Sequence, residues 1–312
     1  MNIIIIGGTR FTGPFVVKSL YEAGHEITIF HRGKNKMELP DGVREILGDR
    51  KDIASYKKDF KKFSPEVILD MIALTEEDAL GVMTTFKDIA RRVTSISSQD
   101  VYLAFGIFNE FEDAPVEALP ITEDSPLRRN LYPYRGDISG MDNYDKILVE
   151  KTFMNEPDLP GTILRLPMVY GPGDRQRRLY EFLKKMDDNN DSIPLGKNIA
   201  TWRWTRGYVE NMAYAITLAV TDERAAGRIY NVGDEKTLSM IEWVRKIGEA
   251  AQWKGEVLIE EKEKPVDEGN YEQDIIVDTG RIRRELGYKE IVSFEEGLRR
   301  TVAWEMANPP AV

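Results

Sequence analysis

Glycines with a phosphate-binding spacing stand close to the start of the chain. Gly7 and Gly8 follow four consecutive isoleucines, and Gly13 comes five residues later, in the run IIIIGGTRFTG. The first glycines permit a tight turn whose backbone approaches a pyrophosphate, and the last lets the next helix pack closely on its strand. A turn that holds no ligand is the alternative. The spacing predicts a dinucleotide site whose contacts are Gly7, Gly8, Thr9, Arg10, Phe11, Thr12 and Gly13.

Basic residues stand where the adenosine half of such a cofactor would lie. Arg10 occupies a position that normally holds a third small residue. His31 and Arg32 end the second predicted strand, where an NAD site has Asp or Glu. A carboxylate repels a 2′-phosphate, whereas a guanidinium grips it with paired donors. Arg10 and Arg32 therefore favour NADP(H) over NAD(H), with Lys34 either assisting or belonging to a basic surface turn. Asp49 is predicted to accept a bond from the adenine amino group.

The composition excludes several other kinds of site. The 312 residues include no cysteine and only two histidines, so we expect no disulfide, no thiolate chemistry and no metal centre. A formal net charge of -10 makes nucleic acid an unfavourable main partner. We find no signal peptide and no apolar run long enough to span a bilayer, so we expect a cytoplasmic protein without membrane association.

Strands and helices alternate along the first third of the chain. The glycine run joins a strand buried on both faces to a helix over GPFVVKSLYEAG, and HEITIFHRG is a second strand. The order continues with helix DIASYKKDFKKF, strand EVILDMIA, helix EEDALGVMTTFKDIARR and strand VTSISS. This alternation predicts an α/β Rossmann fold with a doubly wound parallel sheet.

The alternation stops from Val101 to about Asn143, a stretch rich in Pro, Gly, Asp and aromatic residues. A loop of this length predicts a lid or binding loop. NYDKILVEKTFMNE then predicts a helix, GTILRLPMVYG a strand, and IEEKEKPVDEGNYEQD solvated surface. We predict a cofactor-binding Rossmann domain over 1–170, to which about 205–233 return. A smaller, interleaved α+β substrate domain would cover 171–312, with the ligand cleft between the two.

Several motifs in order resemble those of the extended short-chain dehydrogenase/reductases, the NAD-dependent epimerase/dehydratases. They are SISSQDVY, ITEDSPL, LRLPMVYGPGD, TRGYVENMAYAI, IYNVGDEKTLSMIEWV and DTGRIRRELGY with SFEEGLRRTV. The resemblance covers nearly the whole chain. GGTRFTG is similar to an atypical branch that includes chloroplast stem-loop RNA-binding proteins and isoflavone-reductase-like proteins. Arg replaces the middle glycine in that branch, which implies an altered cofactor site that still works.

The resemblance also implies a catalytic Ser, Tyr and Lys. In the family, the Tyr moves a proton at a substrate oxygen while the nicotinamide takes or gives a hydride. The Lys lowers the pKa of the Tyr and holds the nicotinamide ribose, and the Ser orients the substrate oxygen. Ser98 and Lys146 match these positions. Lys146, Ala73 and Leu166 are accordingly expected among the cofactor contacts.

The tyrosine departs from the family pattern. The family has Tyr four residues before the Lys, where this chain has Asp142, and Tyr144 stands only two residues before Lys146. On a regular helix these two side chains would point about 200° apart. The helix could begin late, so that Tyr144 turns inward. Asp142 could instead be the acid/base, or cap the helix and pair with Lys146. Tyr132 or Tyr134 could also reach in from the loop. We predict Tyr144, while a site that binds without catalysis remains an alternative.

The resemblance further implies a substrate side. Arg206 matches an arginine that grips a nucleotide-sugar diphosphate, with an ion pair to Glu210 as the alternative. Arg175 adds positive charge after the Gly-Pro-Gly turn. The predicted function is an NAD(P)-dependent epimerase/dehydratase-like oxidoreductase, acting on a carbonyl or carbinol carbon of a nucleotide-activated sugar, and family habit implies a homodimer. An RNA-binding protein on the same fold and a non-catalytic NADP(H)-binding regulator are the alternatives.

Overall fold

The structure is a computed structural model that describes residues 1–35, 37–188, 190–261 and 269–310. Its strands are β1 (Asn2–Ile6), β2 (Glu26–His31), β3 (Arg44–Leu47), β4 (Val67–Asp70), β5 (Arg92–Ser98), β6 (Gly161–Leu166), β7 (Met168–Tyr170), β8 (Ser192–Gly196), β9 (Arg206–Tyr208), β10 (Ile229–Asn231) and β11 (Glu256–Glu260). Its α-helices are α1 (Thr12–Glu22), α2 (Lys57–Lys61), α3 (Glu76–Phe86), α4 (Leu103–Phe108), α5 (Lys146–Met154), α6 (Tyr180–Asp187), α7 (Lys197–Thr201), α8 (Val209–Thr221), α9 (Met240–Ala250), α10 (Gly280–Leu286) and α11 (Phe294–Ala307).

Seven parallel strands form the main sheet, in the order β10-β6-β5-β4-β1-β2-β3. The predicted doubly wound α/β fold is confirmed. The strand order reverses at β1, so the crevice beyond its carboxyl end is the place where such sheets bind ligands. The isoleucines of β1 explain its burial on both faces, because Ile3 and Ile5 enter one core cluster while Ile4 and Ile6 enter the other.

Later parts of the chain return to this sheet. β10 pairs with β6 at the sheet edge, and α8 packs against α1. Both elements lie in the 205–233 segment that was expected to return, while the domain boundaries themselves stay a prediction. Two smaller parallel pairs, β7 with β9 and β8 with β11, stand outside the main sheet.

The structure corrects three of the predicted elements. GTILRLPMVYG is not one strand, because Pro167 has no N–H to donate and the chain breaks there into β6 and β7, which joins β9. The expected loop after Val101 contains α4, whose apolar run is buried. DIASYKKDFKKF forms a 3₁₀ helix, Arg50–Tyr56, followed by the short α2.

The predicted solvated segment, 259–274, lies partly outside the described residues, at 262–268. Within its described part, Gln273 is fully buried, so the prediction of solvated surface is wrong at that residue. In the described part of the chain, no helix is both long enough and apolar enough to cross a membrane.

Candidate active site

The glycine loop (residues 7–13) lies at the carboxyl end of β1. Gly7 and Gly8 have φ of 90° and 78°, a region that favours glycine. A Cβ at Gly13 would lie 2.3 Å from the carbonyl oxygen of Gly8, so a side chain there would displace the loop. The helix that follows, α1, has no side-chain cap and no acidic residue in its first turn. Its N-terminus is therefore suited to an anion such as a pyrophosphate.

The predicted basic residues line the adjacent strand end. Arg10 and Arg32 are exposed, and their guanidinium groups bond to no described residue. His31 instead supports the turn: its Nδ1 accepts from the Gly33 N–H at 3.2 Å, so its Nε2 donates to Glu45 at 2.7 Å. The arginines thus remain available to an anionic ligand, and the place of His31 among the cofactor contacts stays a prediction.

Two other contacts shape this edge. The Asn35 amide donates to the hydroxyl of Thr9 at 3.2 Å, which ties the turn after β2 to the glycine loop. Asp49 accepts from the Lys51 N–H at 3.1 Å and caps the 3₁₀ helix that follows. Lys34 is exposed, as in an ordinary surface turn.

Lys146 is buried where β4 and β5 end. Its ammonium donates to the carbonyl oxygen of Ala73 at 2.5 Å and to that of Ile96 at 2.9 Å. Burial lowers the pKa of Lys146. The Ala73 carbonyl thus positions the lysine, while the contact expected between Ala73 and a cofactor stays a prediction. The half-buried Leu166 lies opposite Ser98 in the register of β6 and β5.

Ser98 ends β5 with its hydroxyl at the same edge. Its Oγ accepts from the Asp100 N–H at 3.2 Å. No described residue accepts the hydroxyl proton, which leaves Ser98 able to donate to a substrate oxygen. Ser98 and Lys146 are thus brought to one end of the sheet, as their positions in the sequence predicted.

Tyr144 is turned inward and bonded to a carboxylate. Its hydroxyl donates to Asp100 Oδ2 at 2.5 Å, and both side chains are buried. Burial raises the pKa of Asp100. Burial, and then the Asp100 charge, raise the pKa of Tyr144 well above its ordinary value. The isolated phenol therefore stays protonated at neutral pH, so any proton that it accepts must be exchanged for one given to Asp100.

The start of α5 explains this orientation. Asp145 caps the helix by accepting from the N–H groups of Ile147 and Leu148, so the helix begins at Lys146 and Tyr144 precedes it. Asp142 is exposed and accepts from the Gly136 N–H. The alternative in which Asp142 caps the helix and pairs with Lys146 is therefore wrong.

One loop tyrosine does reach this site. The Tyr134 ring lies 5.2 Å from the Tyr144 ring, whereas the Tyr132 ring lies 3.9 Å below the Arg135 guanidinium. Asp100 was missed by the sequence reasoning. Its signal is an acidic side chain two residues after Ser98, inside the motif SISSQDVY, next to residues that must be buried.

A buried network braces the site from behind. Arg165 of β6 pairs with Glu150 of α5 at 2.7 Å and donates to the Tyr102 hydroxyl at 2.9 Å. Glu150 also accepts from Ser97, and Tyr102 donates to Asn231 of β10 at 2.6 Å. Burial raises the pKa of Tyr102 to about 12. These bonds hold β5, β6, β10 and α5 in a fixed relation.

Arg206 is a buried cation without an acidic partner among the described residues. Its guanidinium lies 4.4 Å from the Trp243 ring and donates to the Trp204 carbonyl at 3.1 Å. Burial lowers the pKa of Arg206 to about 10. The alternative ion pair with Glu210 is wrong, because Glu210 pairs with Arg300.

The arginines after the Gly-Pro-Gly turn have separate roles. Arg177 pairs with Glu305 at 2.6 Å, and Arg178 pairs with Asp174 at 2.7 Å, so both are structural. Arg175 is exposed and bonds to no described side chain. Its place in substrate binding stays a prediction. Among the described residues, no group of three or more His, Cys, Asp or Glu is placed to hold a metal ion.

Comparisons with known proteins show what the chain is similar to. The model of the NAD dependent epimerase/dehydratase family matches residues 144–233, which include Tyr144, Lys146 and Arg206. A dTDP-glucose 4,6-dehydratase of Salmonella typhimurium is 22% identical, with 99% of this chain and 93% of the relative aligned. The chloroplast stem-loop binding protein of 41 kDa b of Arabidopsis thaliana is also 22% identical, over 95% of this chain and 77% of the relative.

A solved structure has the same fold. The dTDP-glucose 4,6-dehydratase of Bacillus anthracis, in complex with NAD, superposes with a TM-score of 0.73 at 16% identity. The alignment covers 99% of this chain and 97% of that one. The predicted resemblance is confirmed: this chain is similar to proteins of the NAD dependent epimerase/dehydratase family.

Proposed function

We propose that this chain is an NAD(P)-dependent oxidoreductase of the epimerase/dehydratase type, which acts on a carbonyl or carbinol carbon of a nucleotide-activated sugar. The observation that carries the proposal is the position of Lys146, held by backbone carbonyls at the ends of β4 and β5. Ser98 and Tyr144 lie at the same end of the sheet as the glycine loop. The dehydratase relatives support the substrate class, and Arg206 offers a buried cation to a diphosphate.

The glycine loop and the N-terminus of α1 would hold the cofactor pyrophosphate. Arg10 and Arg32 would grip a 2′-phosphate, so NADP(H) is the preferred form. When bound, the nicotinamide supplies or accepts a hydride at the substrate carbon. Lys146 would hold the nicotinamide ribose through its ammonium, as the family resemblance implies.

Tyr144 and Asp100 would move the proton together. When a substrate alcohol is oxidised, its hydroxyl proton passes to the Tyr144 oxygen while the phenol proton passes to Asp100 Oδ2. No free phenolate has to form, and the raised pKa of Asp100 favours its acceptance of the proton. Reduction of a carbonyl reverses both transfers. The Ser98 hydroxyl donates to the substrate oxygen and so fixes its position.

A fluorescence titration with NADPH and with NADH tests the cofactor. We expect NADPH to bind more tightly, and Arg32→Ala to weaken NADPH about tenfold or more while leaving NADH unchanged, because a bidentate charged contact contributes about 1.5–3 kcal/mol. Equal affinity for both forms in the wild type would refute the 2′-phosphate clamp. NMR of sugar products formed from dTDP-glucose and UDP-glucose then tests the reaction.

Similarity to a stem-loop binding protein makes RNA binding the main alternative to the proposed enzyme. If neither nicotinamide cofactor bound, and structured RNA caused a mobility shift that weakened with salt, an RNA-binding role would replace the enzyme. The net charge of -10 opposes that result.

Assembly and location complete the proposal. The family resemblance supports a homodimer that forms through two helices of each chain. Sedimentation of the purified protein should give twice the mass of one chain. We also propose a cytoplasmic location, which fractionation of the source cell would test.

A further inference from the structure

A cavity of about 650 Å³ lies between α6, the turn after α9 and the C-terminal end of α11. Its volume is that of a small-molecule site. None of the residues placed in the candidate active site lines it. Its walls combine aromatic, amide and carboxylate groups, among them Trp253, Gln252 and Glu305.

Glu305 places a buried acceptor on the cavity wall. Its side chain is only 1% exposed, and its Oε2 accepts from Arg177 at 2.6 Å. Its Oε1 is buried as well, yet accepts a hydrogen bond from no described residue. Buried acceptors are costly to leave without a donor, so this oxygen is suited to a ligand hydroxyl or N–H.

Trp253 gives the cavity a fixed aromatic wall. Its indole N–H donates to the Asn190 carbonyl at 2.9 Å. A Cβ at Gly255 would lie 2.2 Å from the indole ring, and one at Gly248 would lie 3.0 Å away. The indole can take this position because Gly255 has no side chain, and the missing side chain at Gly248 gives it further room. A ring held in this way offers a surface for stacking at little cost in side-chain entropy.

The end of α9 adds an amide in an unusual backbone conformation. The Gln252 N–H donates to Glu249 and the Trp253 N–H to Gly248, which is the Schellman pattern of a helix end. Glycine normally occupies the residue with positive φ in this pattern, but here Gln252 has a φ of 58°. A glutamine in place of glycine at this strained position points to a use for its side chain.

We propose that this cavity is a second ligand-binding site, which takes a neutral sugar ring. The apolar face of the ring would stack on Trp253, and its hydroxyls would donate to Glu305 and bond to the Gln252 amide. Arg177 neutralises Glu305, and the other charges of the lining balance, with Asp187 and Asp191 against Lys184 and Lys254. The lining therefore carries no net charge that would attract an ionic ligand, which suits a neutral one. The site is separate from the proposed reaction and does not depend on it.

Indole N–H resonances provide the test. The chain has five tryptophans, and Trp253→Phe identifies the resonance that reports on the cavity. Labelled protein would be titrated with glucose, galactose, mannose and N-acetylglucosamine. We expect at least one sugar to shift the Trp253 resonance in a saturable way while the Trp202 and Trp204 resonances stay in place.

Two variants then locate the binding. Glu305→Gln should weaken the response at least several-fold, but it also removes the charge that pairs with Arg177. Gln252→Gly avoids that problem, because glycine prefers this backbone conformation and the fold should be kept or stabilised. It should weaken sugar binding too. The proposal is refuted if no sugar shifts Trp253, if Trp202 and Trp204 shift equally, or if Gln252→Gly, still folded, binds as tightly as the wild type.

Discussion

Tyr144→Phe is the most informative change, because it removes one oxygen at the centre of the site. The phenol donates to Asp100 Oδ2, and Asp100 Oδ1 has no hydrogen-bond partner among the described residues. The variant therefore leaves a buried carboxylate without this donor, which costs about 1–3 kcal/mol of unfolding free energy. For a chain of this length we expect the melting temperature to fall by about 2–5 °C.

The loss of activity should be much larger than the loss of stability. A positioned proton-transfer group contributes about 10²–10⁴-fold to turnover. The Tyr144 oxygen is the only atom removed, and the glycine loop and both arginines of the clamp are untouched. Cofactor affinity in a fluorescence titration should therefore stay within about twofold of the wild type. The rate of sugar-product formation, followed by NMR, should fall by about 10²–10⁴-fold.

Tyr134→Phe is the matched control. It makes the same substitution in the neighbouring ring, 5.2 Å away, and keeps the bond between Tyr144 and Asp100. This variant should retain turnover. If Tyr144→Phe stayed active while Tyr134→Phe lost activity, the loop tyrosine would be the acid/base and our assignment would be wrong.

Three further changes test the frame of the site. Asp100→Asn should lower turnover yet raise the free energy of unfolding at neutral pH. Burial raises the pKa of Asp100 in the folded state above its value in the unfolded state. The charged carboxylate therefore destabilises the fold increasingly as the pH rises between these two pKa values, and the neutral amide does not. Its gain in melting temperature should shrink towards about pH 4, and a gain that grew on acidification would contradict this. Gly13→Ala puts a Cβ 2.3 Å from a backbone oxygen and should abolish cofactor binding in titrations, whereas Gly81→Ala, with 3.4 Å to its nearest neighbour, should bind normally. Glu150→Gln leaves the Arg165 guanidinium buried without its charge partner and should cost about 3–5 kcal/mol in denaturant unfolding; a cost below about 1 kcal/mol would exclude that pair as a brace.

Local patterns were enough to predict the first half of the fold. Four isoleucines in a row can be buried only if both faces of their strand are covered, and β1 is a central strand. The positive φ of Gly7 and Gly8 likewise follows from the residue type and the turn. These features depend on neighbours in sequence, so the sequence alone contains their cause.

The start of α5 depends on contacts that sequence spacing cannot reveal. Whether Tyr144 belongs to the helix is decided by which aspartate caps it, and Asp142, Asp145 and their neighbours offer similar local signals. The Asp145 N–H bonds to the carbonyl of Leu74, a residue 71 positions earlier, and this contact favours the later start. The role of Asp100 could not be read from local spacing either, because its partner, Tyr144, lies 44 residues away.

The shortened helix changes what positions the phenol. A Tyr and a Lys one helical turn apart would present both side chains on one face, so that the ammonium could act directly on the phenol. Here Tyr144 enters from the loop, and Asp100 orients its hydroxyl instead. Holding a tyrosine with a buried carboxylate costs desolvation free energy, whereas an amide could accept the same hydrogen bond without burying a charge. The carboxylate differs from the amide in one useful respect, since it can take the proton. The presence of Asp100 beside Tyr144 therefore argues for a site that moves protons, and against one that only binds a cofactor.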